Sequence, residues 1–156
     1  MILQGNLAIK DEHCPQRYVS SRSYVKSKSY QHLNRNFLST YEKGISAERM
    51  AAKVLQNEGY EILGQRIRTG SGEIDILAKK ENDIVAVEVK QRRTISEAKC
   101  CIPFRQQKRI ANALLVIASQ RNKPFENYRI DVVCLDAVGR FEHIENAFST
   151  EAFIAY

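Results

Sequence analysis

The stretch with the means to do chemistry runs from 72 to 90, GEIDILAKKENDIVAVEVK, and carries Glu73, Asp75, Glu88 and Lys90. Around the polar tetrapeptide KEND (80–83) it reads as two strands joined by a turn. With Lys80 facing Asp83, Ala78 falls opposite Val85, Ile76 opposite Val87 and Ile74 opposite Val89, so one face of the hairpin is apolar throughout. The same register sets Asp75 opposite Glu88 and Glu73 opposite Lys90 on the other face, with Leu77 and Ala86 beside them. Directly facing Cβ atoms lie about 4.5 to 5.5 Å apart. Two carboxylates at that separation repel unless a proton or a divalent cation sits between them.

Hard oxygen donors of this kind favour Mg2+ or Mn2+. Lys90, two residues after Glu88, projects from the same strand face, where its ammonium can orient or deprotonate an attacking water or steady the charge on a pentavalent phosphate. An acidic pair and one lysine thus supply the parts for phosphodiester hydrolysis, in which a metal lowers the pKa of its water and polarises the phosphoryl oxygen. The competing reading is a solvent-facing polar strand with ordinary cross-strand pairs, such as Glu73 with Lys90.

The elements that must hold these residues follow from apolar spacing. Ala47, Met50, Ala51, Val54 and Leu55 recur at helical spacing and predict a helix over 43–58, ended by Gly59. Glu48 sits at the edge of that stripe, where a carboxylate can reach over a sheet toward a metal. Strands are expected at 60–68, 73–78 and 84–90, the first closed by the turn signal TGSG. Pro103 suits a first helical turn, and Ile110, Leu114, Ile117 and Ala118 continue a stripe to about 120. Gln106, Gln107, Lys108 and Arg109 open that helix with polar donors. After the loop NKPFEN, strands at 128–135 and 140–144 surround a turn at Gly139. The order is α-β-β-β-α-β-β.

The chain has 156 residues and a formal charge of +6. Six Lys or Arg against Asp11 and Glu12 place +4 of that charge in residues 1–41. That segment, with RYVSSRSYVKSKSYQHLNRN inside it, is poor in periodic apolar residues and reads as a flexible basic extension preceding a domain over 42–156. A polyanionic partner is compatible with the charge, and so is mere solubility. Cys14, Cys100, Cys101 and Cys134 show no C-x-x-C spacing and are expected to be plain thiols. His13, His32 and His143 form no metal pattern with them. With no long apolar run and no secretory leader, the expectation is a cytoplasmic protein with no membrane partner.

An acidic helix residue, then D, then E-V-K in a strand resembles the PD-(D/E)XK restriction-endonuclease-like superfamily. From 44 to 148 the chain also resembles the bacterial YraN family of nuclease-like proteins: GISAERMAAKVL, GEIDIL, VAVEVKQR, RIDVV and IENAF all fit its pattern. The resemblance implies an α/β fold, a restriction-endonuclease-like mixed sheet flanked by helices, and a site similar to that of Holliday-junction resolvases. It puts Glu48, Asp75, Glu88 and Lys90 on the acidic-helix, D and E-x-K positions. Two departures stand out. The aromatic-glycine pair usual after the E-x-K strand is replaced by ISEAKCC, and Gln106 stands where a lysine would open the next helix.

The expectation is a divalent-metal endonuclease acting on DNA, branched or structured DNA included. Asp75, Glu88 and the Val89 carbonyl would hold Mg2+ (or Mn2+), Lys90 would activate water or stabilise the transition state, and Glu48 would support the metal. Gln106, Lys108 and Arg129 are candidates for nucleic-acid contact, although Arg129 and Asp131 on a later strand read rather as structural or backbone-contacting than as catalytic. A homodimer cutting both strands, and an RNA substrate at the same site, stay open. The rival from another class is a non-catalytic nucleic-acid-binding or partner-docking module on the same fold.

Overall fold

A computed structural model describes residues 25–29, 40–121 and 127–148. Helix α1 (Thr40–Asn57) ends as its sequence predicts. Gly59 takes φ +86, and the N–H groups of Gly59 and Tyr60 return to the carbonyls of Gln56 and Leu55 at 3.0 Å, which satisfies carbonyls that the last turn leaves open. Strands β2 (Glu61–Arg68), β3 (Glu73–Lys80) and β4 (Asp83–Gln91) follow as two antiparallel pairings. In the β2–β3 turn Thr69 Oγ1 accepts the N–H groups of Ser71 and Gly72. A Cβ on Gly72 would lie 2.8 Å from the Arg109 carbonyl oxygen, so this turn packs directly on the following helix.

Helix α3 (Phe104–Arg121) carries the chain across to β5 (Asn127–Leu135), which lies parallel to β4. β6 (Arg140–Ile144) pairs antiparallel with β5. The result is an α/β fold with a mixed sheet flanked by helices, in the predicted order with two additions. A five-residue helix, α2 (Ile95–Lys99), occupies ISEAK, where a loop was expected, and Thr94 Oγ1 caps it by accepting the Glu97 N–H at 3.2 Å. The T-x-x-E spacing of a capping box was its signal.

The second addition is β1 (Val25–Ser29), paired antiparallel with β6 at the edge of a sheet ordered β1-β6-β5-β4-β3-β2. No strand was expected there, because VKSKS has a single apolar residue and so shows no apolar periodicity. The rest of the extension over 1–41, apart from the start of α1, lies outside the described residues, as do Cys14, His13, His32 and most of the NKPFEN loop.

The central strands of the sheet are buried on both faces. Ile76, Ala78, Val85 and Val87 pack with Ala47, Ala51, Val54 and Leu55 of α1. Leu77, Ile84 and Ala86 pack with Ile110, Ala111 and Leu114 of α3. The central strands β4 and β5 therefore read as near-continuous apolar runs, as strands covered on both sides must. Among the described residues no helix is long and apolar enough to cross a membrane.

Candidate active site

The register predicted for the hairpin holds through its closed end: Lys80 pairs with Asp83, Ala78 with Val85, Leu77 with Ala86 and Ile76 with Val87. It does not continue. The ladder stops at Ile76 and Val87, so the expected ladder pairs Ile74 with Val89, Asp75 with Glu88 and Glu73 with Lys90 do not form. Beyond that point β3 keeps its pairing with β2 down to Glu73, and β4 keeps its pairing with β5 up to Gln91. The two strands fork. At the fork the Val89 N–H donates to Asp75 Oδ2 at 2.9 Å, a side-chain bond where an unbroken ladder would place a main-chain one. Ile74 joins the cluster under α3 although Ile76 lies under α1, which a strand of regular period two does not do.

Glu88 lies on the α3 side of the fork and is only 3 % exposed. Its Oε1 accepts from the Lys90 ammonium and, at 2.6 Å, from Gln106 Nε2 on the first turns of α3. Burial first, and the neighbouring Asp75 charge second, push its pKa up to about 7, against the pull of Lys90. Asp75 is raised as well, mainly by burial, against the Val89 hydrogen bond and the Lys90 charge. Glu48 on α1 is raised by burial and then by Asp75. Three carboxyls from α1, β3 and β4 thus share one strained electrostatic neighbourhood, with Lys90 as the ammonium among them.

Sequence reasoning missed Arg66. The pairs Gln65 with Ile76 and Ile67 with Ile74 set it abreast of Asp75, and its φ is +51, an uncommon conformation for a residue with a side chain. Its guanidinium stands 4.0 Å from Glu48 and 3.4 Å from Glu73. Glu73 also pairs with Arg68 at 3.0 Å, so its partners are on β2 and not the expected Lys90. A shift of register between Ile62 and Gly64 sets which β2 residue meets Asp75, and no spacing in the sequence announces such a bulge.

The donor set suits a hard dication in its chemistry. Two carboxyls on adjoining strands are both raised, each first by burial and Glu88 next by the Asp75 charge, a cost that a bound cation would reverse. In extended backbone the N–H and C=O of one residue point the same way, so the Val89 carbonyl is turned toward Asp75 along with its N–H. The third acid, Glu48, lies against Arg66. Among the described residues no three His, Cys, Asp or Glu side chains gather closely enough to hold an ion by themselves. The fit therefore rests on two carboxylates and one main-chain carbonyl.

Lys108 lies exposed on α3, and Gln106 turns inward to Glu88. Arg129 lies elsewhere, in a second polar cluster. Its guanidinium meets Asp131 Oδ1 at 3.1 Å, Asp83 Oδ2 at 2.8 Å and the Tyr60 hydroxyl at 2.5 Å. Asp131, fully buried, also accepts the Asn146 N–H and faces His143 Nε2 at 2.9 Å, while His143 Nδ1 meets Glu58 at 3.0 Å.

Residues 47–135 match the family described as "Uncharacterised protein family UPF0102", a span that holds Glu48, Asp75, Glu88, Lys90, Gln106, Lys108 and Arg129. Similar relatives include the UPF0102 protein of Granulibacter bethesdensis, 45% identical over 67% of this chain and 67% of its own length. Those of Azorhizobium caulinodans (38%, covering 71% of this chain and 86% of the relative) and Nitrobacter winogradskyi (37%, 71% and 95%) are similar too. Among solved structures, SfsA of Pyrococcus furiosus in complex with Ca2+ is 15% identical, with a TM-score of 0.30 over 69% of this chain and 63% of that one, a likeness too weak to bear on the site.

Proposed function

This chain belongs to the UPF0102 family, and we propose that it is a divalent-metal-dependent endonuclease that hydrolyses phosphodiester bonds in DNA, branched or structured DNA included, in the cytoplasm. One observation supports this reading above the others. Glu88 is buried at the mouth of a strand fork beside Asp75, with Lys90 and Gln106 bonded to the same carboxylate oxygen. A purely structural sheet gains nothing from burying two acids where both are pushed up by desolvation and the charge of Asp75 raises Glu88 further.

Asp75, Glu88 and the Val89 carbonyl would hold Mg2+ or Mn2+. When bound, the ion lowers the pKa of water and polarises the phosphoryl oxygen. The chain's own residues do the remaining work. Gln106 and Lys90 fix the orientation of Glu88 through Oε1. The Val89 N–H fixes Asp75 through Oδ2. Lys90, at the open end of the fork, brings an ammonium to the phosphate that in-line attack charges further, and electrostatic support at that stage is worth most in a site poor in water. Glu48 adds negative charge from α1, tempered by Arg66.

The test is cleavage of branched, flapped and single-stranded DNA with Mg2+ or Mn2+, by wild type and Asp75→Ala, with EDTA and an RNA strand as controls. The expected result is metal-dependent cutting that falls about a thousandfold in the variant, equivalent to the several kcal/mol such a centre contributes. No cutting under any condition, with binding equal in both proteins, overturns the reading in favour of a non-catalytic nucleic-acid-binding module. Cutting confined to the RNA strand changes the substrate to RNA.

A further inference from the structure

Helix α3 holds a surface that the cleavage chemistry does not use. Over its 18 residues it carries Arg105, Lys108, Arg109 and Arg121 and no acid. At about 100° per residue, Phe104, Lys108, Arg105 and Arg109 follow one another around a single arc of roughly 140°. All four are exposed, Phe104 at 61 %. Gln106 comes next around the helix and is bonded to Glu88, while the main chain at Arg109 abuts Gly72 in the β2–β3 turn. One edge of this basic, aromatic arc therefore borders the fork that holds Asp75, Glu88 and Lys90.

Arg105 in the first turn runs against the helix dipole, which favours acids there, and Lys108 and Arg109 add two more cations in the second turn. A sequence that accepts this local cost and also exposes a phenyl ring is suited to an anionic partner with flat faces. A nucleic-acid strand with unstacked bases has both properties, since phosphates meet the cations and a base face meets the ring. A blunt duplex offers the phosphates and buries its base faces.

We propose that the Phe104, Arg105, Lys108 and Arg109 surface of α3 is a docking track for a single-stranded segment of nucleic acid, with Phe104 stacking on an unpaired base beside the bond to be cut. The inference rests on the nuclease reading for the cleavage step, but binding itself can be tested without cleavage.

The experiment is fluorescence anisotropy in EDTA with labelled oligo-dT, a blunt DNA duplex of equal length and oligo-rU. Proteins compared are the full-length wild type, Phe104→Ala, Phe104→Tyr and the triple variant Arg105→Gln, Lys108→Gln, Arg109→Gln, each checked for an unchanged melting temperature. Wild type is expected to bind a strand about tenfold more tightly than the duplex. Phe104→Ala should lose about that factor on the strand alone, and Phe104→Tyr should keep it. The triple variant should weaken both and reduce the salt slope on the strand by about 0.7 for each phosphate no longer neutralised. Strand binding with either sugar supports the track, and the tighter one names its source.

Equal affinity for strand and duplex, an unaffected Phe104→Ala, or an unchanged salt slope overturns the inference. Strand binding that depends on Phe104, in a protein that cuts nothing, leaves the track standing and removes the nuclease reading. Cutting that Phe104→Ala leaves untouched on every substrate does the reverse.

Discussion

Two polar clusters are set into the same sheet, and they treat their carboxylates in opposite ways. Around Arg129 and His143 the acids are supplied with donors: Asp131 meets Arg129, His143 and the Asn146 N–H, Glu58 meets His143, Asp83 meets Arg129 and Asn127, and Glu145 accepts from Tyr60. Lys80 stands 4.5 Å over the Tyr60 ring, and the ring in turn meets His143 edge-on. At the fork, both donors to Glu88 fall on one oxygen and Asp75 receives one main-chain N–H. The consequence appears in proton affinity. Burial acts to lower the His143 pKa, but the carboxylates of Asp131 and Glu58 outweigh it and hold the imidazole above its usual value. At the fork it is the acids that are raised, Glu88 to about 7. A cluster whose acids are matched with donors stiffens a fold, whereas on the function proposed above the fork, with fewer donors to its acids, would take a cation.

The sharpest way to break that contrast is to remove one acid from the matched cluster. Asp131→Ala leaves Arg129 and His143 beside a vacated buried position, a change worth about 3–5 kcal/mol. At a few degrees per kcal/mol for a chain of this size, the melting temperature should fall by about 10 °C. A melting temperature within a degree of wild type would mean that this cluster is no more structural than the fork.

A smaller effect of opposite sign is expected at the fork. Because the folded state holds the Glu88 proton to about pH 7 against the usual 4.5, it binds more protons than the unfolded chain across that interval, and stability falls as pH rises through it. Glu88→Gln removes the term. Melted without metal at pH 8, the variant should be a few degrees more stable than wild type, with a flatter profile between about pH 4.5 and 7. Excess Mg2+ should stabilise wild type and leave the variant unmoved. A variant less stable than wild type at every pH would assign Glu88 to the matched class.

The smallest effect belongs to His143. A raised imidazole pKa contributes stability that is fully present below the usual value of about 6.5 and is lost as pH climbs through the folded value. Urea titrations from pH 6 upward should show this decline in wild type and not in His143→Gln. A profile shared by both proteins would show that the imidazolium does not matter to the cluster.

Much of this was legible in the chain itself. The KEND turn, read as symmetric so that one hairpin face is apolar throughout, gave the register from Lys80 and Asp83 to Ile76 and Val87. The same spacing brought Asp75, Glu88 and Lys90 to one neighbourhood, and the helical stripes marked α1 and α3 with the glycine that closes the first. The capping box at Thr94 and Glu97 was a readable signal too, although apolar spacing alone passes over so short a helix. Arg66 and the fork were not readable, since a bulge and an interrupted ladder leave no periodic trace.

Local pattern, then, was enough to bring Asp75, Glu88 and Lys90 close together, because residue spacing and turn length act between residues close in sequence. Only the tertiary structure decided how those groups are charged and held. It brought Glu48 from α1, Arg66 from β2 and Gln106 from α3 to the open end of one hairpin, and it joined Glu58 after α1 to His143 on β6, and both His143 and Arg129 to Asp131 on β5. Desolvation and long-range charge come from the whole packed surround, and no short window of sequence contains them.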